Sequence, residues 1–395
     1  MRNESIALLD VRSYEITFFL GSRGVNDTFV FCGSHTEKYE GFSTEGFFDV
    51  ESFREAVKNA VNHVKQNYGG VIDEVYVGVP SNFLSLRTKG HTVSFAKKRK
   101  ISLQDVDALY DSGLCELLSE QRCIRRFAMY FTLGDNRKYF FPEELRGVHT
   151  RLLKGALCYY FIREDFHELT TAVFEEVGFE TVKFVPASLS QALYLLPEKR
   201  REGYAFLLDV GFLTTSIAVV YGNGIVHEET FDFGKGAVIA AIIDRLDVDY
   251  QTAEEILLSA NVSGGSVPKD LTWTSERGDL AFPVQLINDI IKSSLDLLCE
   301  NVENFFGKYY NEKNMTAFAV NPVSVTGEGI AGIAGITEHL SARLNRLTEV
   351  VAPELPYYDK PAFSSRIALM NMALSDRKTR GFWRRIFNKN GGKRK

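Results

Sequence analysis

Apolar residues recur along this chain at two spacings, and the alternation between them lays out the elements. Residues 6–11 form a short, continuous apolar run, residues 15–20 a second and residues 28–32 a third, the pattern of strands joined by turns. Residues 50–67 switch to helical spacing, with Phe53, Val57, Val61 and Val64 three or four positions apart. Residues 74–79 return to a buried-type strand. From Ser81 the character changes. Residues 84–95 read as a strand, Ser102 with Asp105 opens a helix much as a capping box does, and residues 126–133 and 147–161 read as further strands. Residues 161–177 are helical again.

A second unit repeats the opening plan. Residues 204–210 are an apolar strand carrying Asp209, Gly211 starts a turn, and residues 214–220 return as a strand. Asn223-Gly224 marks a hairpin, and residues 225–231 form its second arm. The opening unit has the same order around Asp10. Two strand–Asp–turn–strand elements roughly 200 residues apart predict a duplicated α/β fold around a central cleft.

Such a cleft places Asp10 and Asp209 at opposing strand ends. Paired carboxylates there can hold a magnesium ion through water and leave neighbouring backbone N–H groups to face phosphate. Arg12 and Ser13 follow the first aspartate; Gly211, Thr214 and Thr215 follow the second. Taken singly, each aspartate is as easily a turn cap. A third segment, residues 325–335, runs from an apolar strand into Thr326-Gly327-Glu328-Gly329 and then helical residues. Glycine lets backbone approach a base or a phosphate closely.

The last fifteen residues differ from all this. Drawn as a helix at ~100° per residue, Phe382, Trp383, Ile386 and Phe387 share an arc of ~140°. Arg384 and Arg385 lie outside that arc and Lys389 at its edge, where a long side chain can snorkel. Aromatics on one face and arginines on the other describe a helix lying in a lipid headgroup layer, too short in apolar residues to span a bilayer. A frayed basic tail is the plainer reading, but such a tail gains nothing from exposed aromatics.

Charge sharpens the contrast. The chain carries 46 Lys/Arg and 51 Asp/Glu, of which nine and one fall in residues 376–395, so a tail of +8 follows a body of −13. An acidic body with a basic terminus suits an electrostatic membrane anchor. Nucleic acid is not expected as a partner, since the body offers only the basic run 97–100. With 395 residues, 45% of them hydrophobic, the chain can bury large cores in two to four domains. Five scattered cysteines without CxxC spacing suit a reduced cytoplasmic protein, and residues 1–20 show no signal-peptide pattern.

The order of these pieces resembles the actin-like ATPases. Asp10 with Ser13, then Asp209-Val210-Gly211 with Thr214-Thr215, then Thr326-Gly327-Glu328-Gly329 look like their two phosphate loops and adenosine loop. Residues 81–166 stand where FtsA, the bacterial division actin, carries an extra subdomain. Residues 231–236, with Gly234 and Gly236, resemble the FtsA turn before its next helix, and residues 361–365 the start of its last core helix. The tail resembles its membrane-targeting helix.

The resemblance implies a duplicated actin-like (ribonuclease H-like) α/β fold with an FtsA-type insert and a C-terminal amphipathic helix. It divides the chain into subdomain 1A at 1–81 and 167–203, the insert 1C at 82–166, and 2A at 204–247 and 304–360. Subdomain 2B takes 248–303, a last core helix 361–375, and a linker with the membrane helix 376–395. It implies ATP and Mg2+ as cofactors, held by Asp10, Ser13, Asp209, Gly211, Thr214, Thr215, Gly234, Gly236, Glu254, Thr326, Gly327 and Gly329, with the metal at Asp10 and Asp209. It also implies filament-forming self-association, recruitment of FtsZ or another division protein, and a place on the inner face of the cytoplasmic membrane.

Departures from the family pattern cluster on the cleft. Arg12 stands where the first loop has glycine, and Phe212, Leu213 and Ser216 replace two glycines and an aspartate of the second. Val185 precedes Pro186 where an acid is usual, with Gln191 too far along to substitute for it. Leu257 takes a lysine position after Glu254, and Glu328 a glycine position. The expectation is a membrane-tethered FtsA-like scaffold with weak or absent ATP hydrolysis. An active ATPase and a PilM-like adaptor of a pilus or secretion complex are the alternatives.

Overall fold

The computed structural model describes residues 5–25, 28–70, 72–115, 117, 121–135, 137–263, 265, 268–310 and 321–390, with backbone alone for 378–390. The first half opens with β1 (Ile6–Val11), β2 (Glu15–Arg23) and β3 (Phe29–Lys38), then a short hairpin of β4 (Phe42–Ser43) and β5 (Gly46–Phe47). Next come α1 (Val50–Asn67) and β6 (Glu74–Val79). The insert follows as β7 (Leu84–Lys100), α2 (Leu103–Cys115), β8 (Arg122–Thr132), α3 (Pro142–Leu145) and β9 (His149–Ile162). The half closes with α4 (Glu164–Glu176), β10 (Thr181–Pro186), α5 (Ala187–Leu195) and α6 (Glu198–Arg201). The second half has β11 (Tyr204–Val210), β12 (Thr215–Tyr221), β13 (Gly224–Phe231), α7 (Lys235–Leu246) and α8 (Tyr250–Ser259). It continues through β14 (Thr272–Thr274), β15 (Ala281–Pro283), α9 (Val284–Tyr309), β16 (Val323–Thr326), α10 (Ile336–Leu344), β17 (Thr348–Val350) and α11 (Ser364–Asn390).

The duplication read from the two aspartate motifs is present in the topology. The first sheet runs β10-β6-β1-β2-β3 and the second β13-β12-β11-β16-β17. Each is an antiparallel three-strand meander whose first strand also pairs in parallel with a later one. Asp10 pairs across to Thr17 and Asp209 to Ser216, equivalent places in the two halves. All six residues of β1 are buried, as expected of a central strand covered on both faces.

Each half has its own apolar core. Phe18, Phe53, Val57, Val77 and Phe166 fill the first, and Phe206, Ile217, Ile242, Ile291 and Leu298 the second. A third core joins the halves beneath the cleft, where Leu8, Phe19, Leu189, Leu207, Val220, Ile367 and Met370 meet. In this layer α11 lies close against the first sheet. A Cβ on Gly21 would come 2.1 Å from Met370 Sδ, and one on Gly78 2.5 Å from Leu369 Cδ1, so glycine on these strands lets the helix approach.

The insert is a three-stranded sheet, β7-β9-β8, with Leu109 of α2 against Phe131, Leu153 and Leu157. Its other face docks on the second half through Cys158 and Tyr160, which bond the backbone of Ile225. Ser102 and Asp105 exchange the expected bonds at the start of α2.

Three local readings need adjustment. The hairpin between β12 and β13 turns on Gly222 and Asn223, one position earlier than the Asn-Gly pair suggests, because Gly222 takes the left-handed φ of +58°. Residues 161–162 belong to β9, not to the helix that follows. The expected linker after residue 375 is absent, since α11 continues as one helix through Asn390.

Candidate functional site

The three motif loops converge between the halves, and they meet one another there. Arg12, at the end of β1, reaches across the cleft. Its Nη1 and Nη2 donate to the two carboxylate oxygens of Asp209 at 2.7 and 2.8 Å, and its Nε to Glu328 Oε2 at 3.1 Å. Bidentate pairing of this kind fixes geometry as well as charge. The Tyr39 hydroxyl donates to the Arg12 carbonyl, which pins the backbone from behind. The three side chains are only 12–18% exposed.

Beside this triad the other departing residues also find partners. Phe212 stacks on Tyr14 across the cleft, with ring centroids 4.2 Å apart. The Leu213 N–H donates to Ser13 Oγ at 3.0 Å. Gln191, which the sequence placed too far along α5, does reach the cleft: its Nε2 donates to Asp209 Oδ2 at 3.0 Å. Val185 is buried in β10, and Leu257 is buried in the core of the second half, so neither faces the cleft with its side chain.

The remaining motif residues turn inward. Asp10 Oδ1 accepts from Ser365 Oγ at 2.6 Å, and Arg366 lies 3.7 Å from its other oxygen while bonding Glu15. Thr326 Oγ1 donates to Ser364 Oγ, and Thr215 Oγ1 to the Phe233 carbonyl. The Gly211 N–H closes its own turn on the Thr214 carbonyl. The Lys235 and Gly236 N–H groups at the start of α7, below Gly234, donate to the carbonyls of Gly211 and Phe212. The helix N-terminus an anion would use is therefore occupied by the second loop itself. Glu254 pairs with Lys235 at 2.5 Å, a lysine that motif reading passed over.

The glycines allow loop to pack on loop. Gly327 has φ +102°, and a Cβ there would fall 2.3 Å from the Val210 carbonyl and 2.4 Å from Asp209 Oδ1. Gly329 donates its N–H to the same carbonyl.

Electrostatics follow from the crowding of acids around two arginines. Burial disfavours the Arg12 charge, yet Asp209 and Glu328 outweigh it and hold the guanidinium well above the usual arginine range. Burial alone would raise the Asp209 carboxyl, but the charge and bonds of Arg12, with Gln191, bring it below the usual range. Glu328 goes the other way. Burial raises it, and Glu15, Asp209 and Asp10 add to that against the pull of Arg12. The geometry agrees, because Glu328 receives a single bond and its Oε1 is buried without a partner.

The open volume left among Arg12, Ser13, Ser188, Asp209 and Thr214 is about 40 Å³. That is room for a water or two, whereas small-molecule pockets run to ~300–1,000 Å³. Among the described residues no cluster of three His, Cys, Asp or Glu side chains could hold a metal ion. As folded, these residues do not fit a magnesium nucleotide: Arg12 already neutralises Asp209, and the loop N–H groups of Gly211 and Leu213 are spent within the protein.

The tail begins from firm attachments. Beyond Ser365 and Arg366, α11 is tied by Arg125 to Asp376 and by Arg23 to Asn371. The side chains of the expected membrane residues Phe382, Trp383, Arg384, Arg385, Ile386, Phe387 and Lys389 lie outside the described residues. No described helix is long and apolar enough to cross a membrane.

No protein-family model matches the chain. Among curated proteins it is similar to the cell division protein FtsA of Streptococcus pneumoniae serotype 2, 24% identical over 229 residues that cover 58% of this chain and 50% of that one. FtsA of Pseudomonas aeruginosa is 20% identical over 63% of this chain and 59% of its own length. FtsA of Enterococcus hirae is 19% identical over 86% and 76%. The chain thus spans little more than half the length of the first two. Among solved structures it is similar to a PilM–PilN type IV pilus biogenesis complex, with a TM-score of 0.59 at 12% identity over 94% of this chain and 99% of that one. MreB5 of Spiroplasma citri bound to ADP gives 0.55 at 11% identity over 95% and 98%. At these identities the structures speak for the fold, one in which nucleotide-bound members are known.

Proposed function

We propose that this chain, an FtsA-like protein of actin-like fold, works as a membrane-tethered scaffold that recruits division proteins and turns over little or no ATP. The observation that carries the reading is the pairing of an FtsA-like body with a basic, amphipathic tail that continues from a helix fastened to both sheets. Each basic group near an anionic surface adds ~1 kcal/mol, and the aromatic face adds apolar burial. The place is the inner face of the cytoplasmic membrane. Self-association there multiplies weak contacts through local concentration.

A peptide partner such as the FtsZ tail would meet the second half along α9. Leu286, Ser293 and Leu297 form an exposed stripe on that helix. Weak hydrolysis is expected because Arg12 holds both oxygens of Asp209, which withdraws that carboxylate from general-base help typically worth ~10²–10⁴-fold.

Vesicle flotation tests the reading. Full-length protein should float with phosphatidylglycerol vesicles, less so as salt rises, and removal of residues 381–395 should abolish flotation. Equal flotation of the truncated protein would sink the proposal. The likeness to the PilM–PilN complex favours a second reading, an adaptor that docks on a membrane protein's peptide; a pull-down that recovers pilus or secretion components and no division protein would select it.

A further inference from the structure

We propose that the Arg12–Asp209–Glu328 triad is a built-in cross-link that holds the two halves closed without nucleotide, so that the cleft is a structural joint and not a ligand site. This goes beyond the membrane reading and stands independently of it.

The atypical residues of the cleft meet one another. Arg12, Phe212, Leu213 and Glu328 each stand where the motifs of this fold have glycine. Glycine leaves room; Arg12, Phe212 and Glu328 fill it in matched contacts, whereas the Leu213 side chain stays exposed. Arg12 bridges Asp209 and Glu328. Phe212 stacks on Tyr14 of the opposite half. The Leu213 backbone is held by Ser13 of the opposite half. A loop that had merely decayed would leave side chains pointing at random and buried charges unpaired. Here the cation introduced into the first half is neutralised by an acid introduced into the third loop, together with the aspartate the motif already had.

The balance of charge makes the joint self-sufficient. Asp10, Glu15, Asp209 and Glu328 crowd the cleft, and Arg12 with Arg366 supply its positive charge. Lys235 is committed to Glu254. A polyphosphate entering this site would have to displace Arg12 from two carboxylates and Phe212 from Tyr14. It would then face four acids with their main cation removed. The apolar layer beneath the cleft keeps the halves joined at their base, so the triad acts where they would otherwise part.

Hydrogen exchange on the full-length protein tests this, read at residues 10–15, 209–216 and 326–330. Wild-type protein should protect these segments in the absence of nucleotide, with no change on adding millimolar Mg-ATP or Mg-ADP. Arg12→Met should speed their exchange at least roughly tenfold while leaving the cores of the two halves protected. Because that variant strands Asp209 and Glu328, a second one removes the three charges of the triad at once: Arg12→Met with Asp209→Asn and Glu328→Gln. It should fold and show the same faster exchange. Slowed exchange of the wild type on adding Mg-ATP, or unchanged exchange in the neutral triple variant, would overturn the proposal. Neither result depends on vesicle binding, so failure here and failure of the membrane reading are told apart.

Discussion

Asp209 and Glu328 both touch Arg12, yet their replacement should have unequal effects. Asp209→Asn removes the carboxylate that takes two charge-assisted bonds at 2.7 and 2.8 Å, and leaves the guanidinium in a nearly closed site. Breaking a buried pair from one side costs about 3–5 kcal/mol. With ~2–4 °C lost per kcal/mol in large domains, the melting temperature should fall on the order of 10 °C. Glu328→Gln keeps an acceptor for Arg12 Nε and removes a charge that burial disfavours, so its cost at neutral pH should stay under ~1 kcal/mol or reverse sign. The pH dependence separates the two further. Asp209 is depressed in the fold, so its contribution is present above its unfolded value of ~3.9 and lost as pH falls through the folded value. Glu328 is raised, so its contribution is present below its unfolded value of ~4.3 and lost as pH rises through the folded value. Glu328→Gln should therefore gain on the wild type as pH rises above that unfolded value of ~4.3. Thermal unfolding of the three proteins, from acid conditions below both unfolded values up to neutral pH, measures all of this. If Glu328→Gln destabilises as much as Asp209→Asn at neutral pH, the division of roles within the triad is wrong.

Tyr14→Ala should cost about 1–3 kcal/mol through the lost stack on Phe212, and a double-mutant cycle with Phe212→Ala should show a coupling of ~0.5–1.5 kcal/mol. Gly327→Ala combines a φ of +102° with a Cβ placed 2.3 Å from the Val210 carbonyl, so urea unfolding should report a loss of more than ~2 kcal/mol. Arg125→Ala should loosen the end of α11 by breaking its pair with Asp376, seen as faster exchange at residues 370–377 with the sheets unaffected.

Much of the fold is legible because its signals are local. The apolar spacing of Phe53, Val57, Val61 and Val64 fixes α1 at the observed bounds, with Asp49 as its cap. The aspartate motifs reveal the repeat, because β1 and β11 are buried on both faces and read as continuous apolar runs. The cleft is only half legible. Motif comparison finds the positions that depart from pattern, but each departure taken singly looks like a loss. That Arg12 and Glu328 compensate each other is a contact across 316 positions, which no local spacing encodes. Gln191 is misplaced for a similar reason: counting along the chain ignores that α5 starts at Ala187 and presents its second turn to Asp209. The missing linker follows from residues 370–380 having no proline and no glycine to end a helix, a signal present in the sequence but outweighed by the change in charge.

A scaffold that assembles on membrane without a nucleotide cycle should look the same whether or not ATP is present. Electron microscopy of the full-length protein on anionic lipid monolayers tests it directly, with ATP in one sample and apyrase in the other. Ordered rows or short filaments of equal extent are expected in both. Rows that form with ATP and vanish with apyrase would contradict it.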